Sequence, residues 1–260
     1  MLEVSRQDII DRLQQVGIAR GDGLLAHSAL QFLGRPQGGV GMYLDALDAV
    51  IGLYGDAPVG TLAAPAFNFA FARGDDYDPA SAPAVGMGAF SEFVRQRPTA
   101  RRTTHPLQSF AVIGAHADTL ARLDTSSAFD DGSAVDRMLE LDFKLLLLGA
   151  DIQAVSLLHY SEQRVGVPYR FWKTFQGRIG RGGEWQHAEY KMYARDMEID
   201  ARLEIYEIET VLRGRGLWQA VPLNYGQIAA CRLRDFVAVT TELLTADPWC
   251  FVTNKPEEHR

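Results

Sequence analysis

The sequence predicts an α/β protein: a single-domain α/β/α layered fold over residues 1–260, with a central mixed sheet and a β-hairpin insertion. Three observations carry that expectation. Helical and strand periodicities alternate along most of the chain, the pattern that builds a sheet covered by helices on both faces. Two strand-like runs around a glycine pair near position 182 break the alternation and read as a hairpin, which argues against a purely parallel sheet. No Pro/Ser-rich linker, repeat or low-complexity tract divides the chain.

Each element follows from a local pattern. Ser5 and Asp8 have capping-box spacing, with Asp in place of the usual Glu or Gln, and Ile9, Ile10, Leu13 and Val16 recur at helical intervals until Gly17. Gly23 to Leu30 reads as a short buried strand, followed by a glycine-rich turn from Gly34 to Gly41 and a helix carrying Tyr43, Leu47, Val50, Ile51 and Tyr54. Gly60 to Phe67 is a strand, and Met87 to Gln96 a helix with Phe90, Phe93 and Val94 on one side. Strands are expected at Ser109 to Gly114 and Lys144 to Leu148, separated by a short helix from the Ser133–Asp136 capping spacing to Leu141. A helix from Ser156 to Arg164 precedes the hairpin, Trp172 to Ile179 and Glu184 to Met192 around the turn Gly180 to Gly183. A charged helix from Asp200 to Leu212, a strand near Ile228 to Leu233 and a helix from Asp235 to Leu244 complete the chain.

Composition narrows the function classes. With 47% hydrophobic and 23% charged residues the chain is an ordinary globular one, which excludes disordered, collagen-like and coiled-coil classes. The longest apolar stretches, such as Leu145 to Leu148, fit a buried strand and fall far short of the roughly 18 residues of a membrane span, so no membrane partner is expected. A net charge of −7 repels phosphate backbones and makes nucleic acid a poor partner. Glu3 and Asp8 are out of place in an export leader, and Cys231 and Cys250 lack metal or redox spacing. Together these point to a cytoplasmic, reducing location with no structural disulfide.

Few motifs carry chemistry alone. Gly38, Gly39 and Gly41 lie between a strand and a helix, where free N–H groups could hold a phosphate, but neither the dinucleotide spacing nor a Gly-Lys-Ser/Thr run is present and a plain turn serves as well. His116 and His187 fall on polar surface segments and His259 in a terminal tail. His27 ends an apolar strand beside Ser28, a position that suits a ligand-facing group. His105 precedes Pro106 in a loop after Arg101 and Arg102. The basic cluster Arg95, Arg97, Arg101 and Arg102 is either a solvated helix end or an anion site for a phosphorylated cofactor.

His159 is the most informative histidine. Helical spacing puts it one turn from Glu162 on the same face, with Ser156 a turn earlier. A carboxylate that accepts one imidazole N–H leaves the other nitrogen poised as a base near neutral pH. A purely structural His–Glu pair and an N-capping serine fit the same spacing. No second His/Glu pair or HExxH element accompanies them, so no metal is expected, and no Gly-x-Ser-x-Gly elbow marks a hydrolase serine.

Taken in order, these segments resemble the aminoglycoside 3-N-acetyltransferase family, acetyl-CoA-dependent enzymes distinct from the GNAT acetyltransferases. His27-Ser28-Ala29-Leu30 is similar to the family's His-Ser-Ser-Leu strand end, and Gly34 with Gly38-Gly39 to its Leu-Gly and Gly-Gly turn. The run from Gly60 to Phe67 is similar to Gly-Thr-Leu…Pro-Thr-Phe, and that from Arg102 to Ser109 to Arg-Ser-x-His-Pro-x-x-Ser. Gly132-Ser133 with Arg137 resembles the Gly-Ser-Pro…Lys-Leu turn, and Leu147-Leu148-Gly149 followed by Ser156, Leu158, His159 and Glu162 resembles Leu-Leu-Gly…Thr-x-Leu-His-x-x-Glu. Single pieces are weak; six in the family's order are strong.

The resemblance implies acetyl transfer from CoA to a substrate amine by direct attack. His159 would deprotonate the amine, Glu162 would orient and polarise the ring, and Ser156 or a nearby backbone N–H would stabilise the oxyanion. Ser28, Ala29, Leu30 and Ser109 fall where the family meets CoA, mostly through backbone groups, with Arg102 and His105 shaping the same wall. The implied partners are coenzyme A and a small-molecule amine of an aminoglycoside or related amino sugar, with a homodimer as the candidate assembly. A biosynthetic N-acyltransferase acting on another amine is the alternative, and an acyl-CoA thioesterase or a non-catalytic binding homologue are those from other classes. The chain departs from the family pattern at Ala29 (serine), Ala66 (threonine), Ala134 (proline) and Ser156 (threonine). Ala66 and Asn68 lie where the family's strand approaches the acceptor. Asp75, Asp76, Asp78, Asp130, Asp131 and Asp151 are the carboxylates that could meet a polycation.

Overall fold

In the computed structural model, which describes residues 2–256, the apolar runs assemble into a seven-stranded mixed sheet with helices on both faces. In chain order the elements are β1 (Glu3–Val4), α1 (Arg6–Gln15), β2 (Gly23–Ser28), β3 (Arg35–Pro36), α2 (Gly41–Ile51), β4 (Thr61–Pro65), α3 (Gly88–Arg95), β5 (Arg101–Arg102), β6 (Phe110–Gly114), α4 (Ala117–Ala121), α5 (Ala134–Glu140), β7 (Lys144–Leu148), α6 (Leu158–Val165), β8 (Arg170–Arg181), β9 (Glu184–Arg195), α7 (Tyr206–Gly214), β10 (Gln219–Leu223), β11 (Gly226–Arg232) and α8 (Leu233–Ala246). The sheet order is β10-β11-β7-β2-β4-β6-β5; β7, β2 and β4 run parallel and the other neighbours antiparallel.

Side-chain alternation along the strands decides the layers. Leu24, Ala26, Leu62, Ala64, Leu146 and Leu148 face a core shared with α1, α2 and α3. Leu25, Ala63, Val112, Leu145 and Leu147 face the opposite core, shared with α4 to α8. Because both faces are covered, β7 is a continuous leucine run rather than an alternating one. The layered α/β/α architecture is the one the sequence predicts. Among the described residues no helix is long and apolar enough to cross a membrane.

Local signals behave as their chemistry requires. Ser5 Oγ accepts from the Asp8 N–H at 3.2 Å while the Asp8 carboxylate accepts from the Ser5 N–H at 2.8 Å, a complete capping box, and Ser133 caps α5 through the Asp136 N–H. β8 and β9 pair from Arg170↔Arg195 to Arg181↔Glu184, leaving Gly182-Gly183 as a two-residue turn. Both glycines take positive φ, +59° and +87°, as a type I′ turn demands. The hairpin is seated by Phe175, Ile179 and Tyr190 against Phe71, Tyr77 and Leu107.

Two readings change. The helix expected from Asp200 starts only at Tyr206, because Asp200 adopts left-handed φ (+47°) and Leu203 is drawn into a bridge with Val252. β10 was absent from the pattern; it carries Pro222, which confines it to the sheet edge. His259 lies outside the described residues.

Candidate active site

The three parallel strands end on one cavity of about 380 Å³. His27 comes to it from the end of β2, Pro65 and Phe67 from the end of β4, and Ser156 and His159 from the segment after β7, with Leu203 and Ile205 closing one side. The carboxyl ends of parallel strands are where α/β sheets take ligands, because the connections diverge there and leave a crevice.

Helix α6 fixes the central pair. His159 Nδ1 lies 2.6 Å from Glu162 Oε2, one helical turn away, and the Gly166 αL cap ends the helix just beyond. The carboxylate is fully buried, whereas the imidazole side chain is 32% exposed. A carboxylate so placed needs a cation, and Arg170, the first residue of β8, supplies it: Nε forms an ion pair with the same oxygen at 2.8 Å, out of line for a hydrogen bond. Burial alone would raise the Glu162 carboxyl, but His159 and Arg170 outweigh it and hold it below the ordinary carboxylate value. An ionised Glu162 assigns the imidazole proton to Nδ1, which donates to it, and leaves Nε2 with its lone pair. Arg170 Nη2 approaches Nδ1 at 3.1 Å, a contact that cannot be a second hydrogen bond while Nδ1 holds that proton. Tyr169 packs against the carboxylate as well, and burial together with that charge raises its phenol.

Among the described residues, two buried polar groups in the cavity wall have no hydrogen-bond partner. Ser156 is not a helix cap: Leu157 occupies that position without a side-chain bond, and Ser156 Oγ is buried and unpaired. His27 is 6% exposed, its Nε2 is unpaired, and burial pushes the ring's pKa down to about 4, so it is neutral at pH 7. Each such orphan costs about 1–3 kcal/mol, a cost that a bound polar ligand removes.

The residues expected to meet CoA divide into two groups. Ser28, Ala29 and Leu30 continue directly from His27, and Ser28 lies beside Gly88 at the start of α3. Arg102, His105 and Ser109 do not line the cavity. Arg102 donates to Ser109 Oγ at 2.9 Å and to the carbonyls of Ala66 and Ala82, and Ser109 Oγ in turn donates to the Ala66 carbonyl at 3.0 Å. His105 is buried, donates from Nε2 to the Lys191 carbonyl of β9 at 3.2 Å and accepts from the Gln108 N–H.

The other arginines are also committed: Arg95 to Glu92, Arg97 over the Phe93 ring, and Arg101 to Asp118. Ala66 and Asn68 are buried, with Asn68 bonded to Pro83 and Ala70, so Phe67 is the residue of that segment facing the cavity. None of the six aspartates considered for a polycation lines it; Asp76 pairs with Arg178, Asp131 with Arg164, and Asp130 and Asp151 bond to neighbouring groups. Among the described residues no group of three or more His, Cys, Asp or Glu side chains is arranged to hold a metal. The sequence reading missed Arg170; its one signal was that a carboxylate buried on a helix needs a cation from elsewhere. His27, read from the sequence as a ligand-facing group, lines the cavity.

Both the sequence and the fold have known relatives. The family model described as aminoglycoside 3-N-acetyltransferase matches residues 25–245. The chain is 33% identical to aminoglycoside N(3)-acetyltransferase III of Salmonella sp. over 205 residues, 71% of this chain and 70% of that one. Its structure superposes on the apoenzyme of aminoglycoside acetyltransferase AAC(3)-IVa with a TM-score of 0.79 at 26% identity, covering 99% of this chain and 94% of the other. It shares the fold of AAC-IIIb, solved as a binary complex with CoASH, with a TM-score of 0.82 at 21% identity and coverages of 98% and 100%.

Proposed function

This chain belongs to the aminoglycoside 3-N-acetyltransferase family, and from that membership we propose that it transfers acetyl from acetyl-CoA to an amine of an aminoglycoside or related amino sugar. The observation that carries the mechanism is the 2.6 Å bond from His159 Nδ1 to a fully buried carboxylate, which leaves Nε2 as the base at the cavity wall. An amine that is protonated at pH 7 cannot attack until it loses a proton, and Nε2 takes it. Glu162 stabilises the imidazolium so formed, while Arg170 keeps the carboxylate ionised throughout. Acetyl-CoA supplies the activated thioester. Ser156 Oγ, buried and unpaired, is the hydroxyl that donates to the acyl oxygen as charge develops on it.

Ser28, Ala29 and Leu30 present backbone to the pantetheine end of CoA. Arg102 and Ser109 act by positioning, since their bonds tie the end of β4 to β5 and β6, and His105 does so by holding the hairpin against the loop beside it. One observation favours a second reading, transfer to an amine that is not a polycation: among the described residues no carboxylate lines the cavity. The test is thiol release from acetyl-CoA against a panel of amines, aminoglycosides and simple amino sugars included. Release that depends on an amine, with the acetylated amine found by mass spectrometry, is the expected result. Release without an amine would make the protein a thioesterase. Sedimentation equilibrium reads the candidate homodimer.

A further inference from the structure

We propose that His27 is a second hydrogen-bond donor to the acyl oxygen, acting beside Ser156; the inference rests on the acetyl-transfer reading above. Its backbone is fixed in the middle of the sheet: β2 pairs with β7 on one side and β4 on the other, and His27 stands opposite Leu147. His27 lines the cavity where those parallel strands end, together with Pro65, Phe67 and Met87. An apolar residue would fill that place without leaving a buried polar atom unpaired, whereas His27 Nε2 is unpaired.

The remaining roles for a histidine do not fit. A general base needs an orienting carboxylate and a ring that protonates readily. His27 has no such partner, and burial holds its pKa at about 4. A metal ligand needs companions, and none are gathered among the described residues. A neutral imidazole offers one N–H, and a donor that never ionises suits a site where negative charge appears only in passing.

Among the described residues only three other polar side chains line the cavity: Gln153, Ser156 and His159. His159 handles the proton, and Gln153 is anchored through Oε1 to the Ile205 N–H at 3.1 Å, on the side of the cavity that Ile205 lines. A carbonyl oxygen has two lone pairs, and Ser156 fills one.

The electron and proton count closes. The amine lone pair forms the C–N bond and the carbonyl π pair moves onto oxygen, where Ser156 O–H and His27 N–H meet it. The pair returns as the C–S bond breaks and sulfur leaves with its electrons. Nitrogen sheds two protons in passing from ammonium to amide. The first leaves to solvent through His159 Nε2 before the attack. The second travels by the same Nε2 to that sulfur, and neither donor gives up its own hydrogen.

The experiment compares wild type with His27→Phe, which keeps a flat ring but no nitrogen, and His27→Gln, whose amide can reach the Nε2 position. Expected for His27→Phe is a kcat about 10²-fold lower with KM for acetyl-CoA changed less than about threefold, and at least a partial recovery in His27→Gln. The acidic limb of the pH–rate profile stays where wild type has it. A kcat within about threefold of wild type, a loss confined to KM, or no recovery in His27→Gln overturns the proposal. An activity-independent readout is the carbonyl stretch of [1-¹³C]acetyl-CoA bound to each protein. It falls at lower frequency in wild type than in His27→Phe if His27 donates, and at the same frequency if it does not. If His27→Phe fails to fold, the same comparison is made with His27→Gln and His27→Ala. A wild type with the lowered carbonyl band but no transfer to any amine would overturn the acetyl-transfer reading and not the hydrogen bond.

Discussion

Glu162 has no exposed side-chain surface, so its contribution depends on what surrounds it. Removing its charge and removing its cation are different experiments. Glu162→Gln keeps the shape and a hydrogen bond to Nδ1 but loses the charge that supports the imidazolium. kcat should fall by roughly 10- to 10²-fold, less than the about 10²- to 10⁴-fold lost with the base itself, as read from steady-state thiol release. Arg170→Met leaves a buried carboxylate with only a titratable partner, and the unfolding free energy at pH 7 should drop by about 3 kcal/mol in urea. A drop below 1 kcal/mol would mean that Glu162 finds another cation or water. Ser156 belongs at this scale too. Its spacing fitted a helix cap and a catalytic donor equally, and only the helix starting at Leu158 with Leu157 as its cap separates them.

Among the elements, the loop after β7 and the loop after β2 are locked together by one glycine. Gly149 has φ +70°, and a Cβ there would sit 2.7 Å from the Ala29 carbonyl and 2.9 Å from Leu33. Gly149→Ala should therefore push Ala29 outward, raising KM for acetyl-CoA and lowering the melting temperature together. A change in stability alone would place the acyl donor away from Ala29.

Most elements were legible because their signals are local: capping spacings at Ser5 and Ser133, a two-glycine turn at Gly182, a leucine run for a doubly covered strand. What escaped was set by distant partners. The break at Asp200 depends on a backbone conformation that helical spacing does not show, and β10 on a sheet edge that makes Pro222 tolerable. Within the site, the His159–Glu162 pair was legible from spacing, whereas Arg170 arrives from the hairpin and has no sequence pattern linking it to α6. His105 was read as a wall residue from its motif; in the fold it carries the contact from that loop to β9.

Over the whole molecule, three buried ionisable groups give stability the same pH dependence. Burial lowers His27 and His105 from 6.5 to about 4. The unfolded chain therefore binds those protons first on acidification. The stability of the neutral rings is complete above pH 6.5 and is lost as pH falls towards 4, up to about 3 kcal/mol per ring. Glu162, lowered from 4.5, acts in the same direction in a lower window: its contribution is present above 4.5 and is lost as pH falls below that value. Urea unfolding at pH 7, 5.5 and 4.5 should show a steady decline, with His105→Gln flattening its upper part. Equal stability at pH 7 and 5 would contradict the burial of both rings.

The central claim is that His159 removes the proton that lets an amine attack the thioester. Thiol release from acetyl-CoA by wild type and His159→Ala, with CoA affinity measured by calorimetry on the same samples, tests it most directly. The account predicts amine-dependent release in wild type, its near abolition in His159→Ala, and CoA affinity within a few-fold of wild type. Near-normal turnover in His159→Ala with an active acceptor would contradict it.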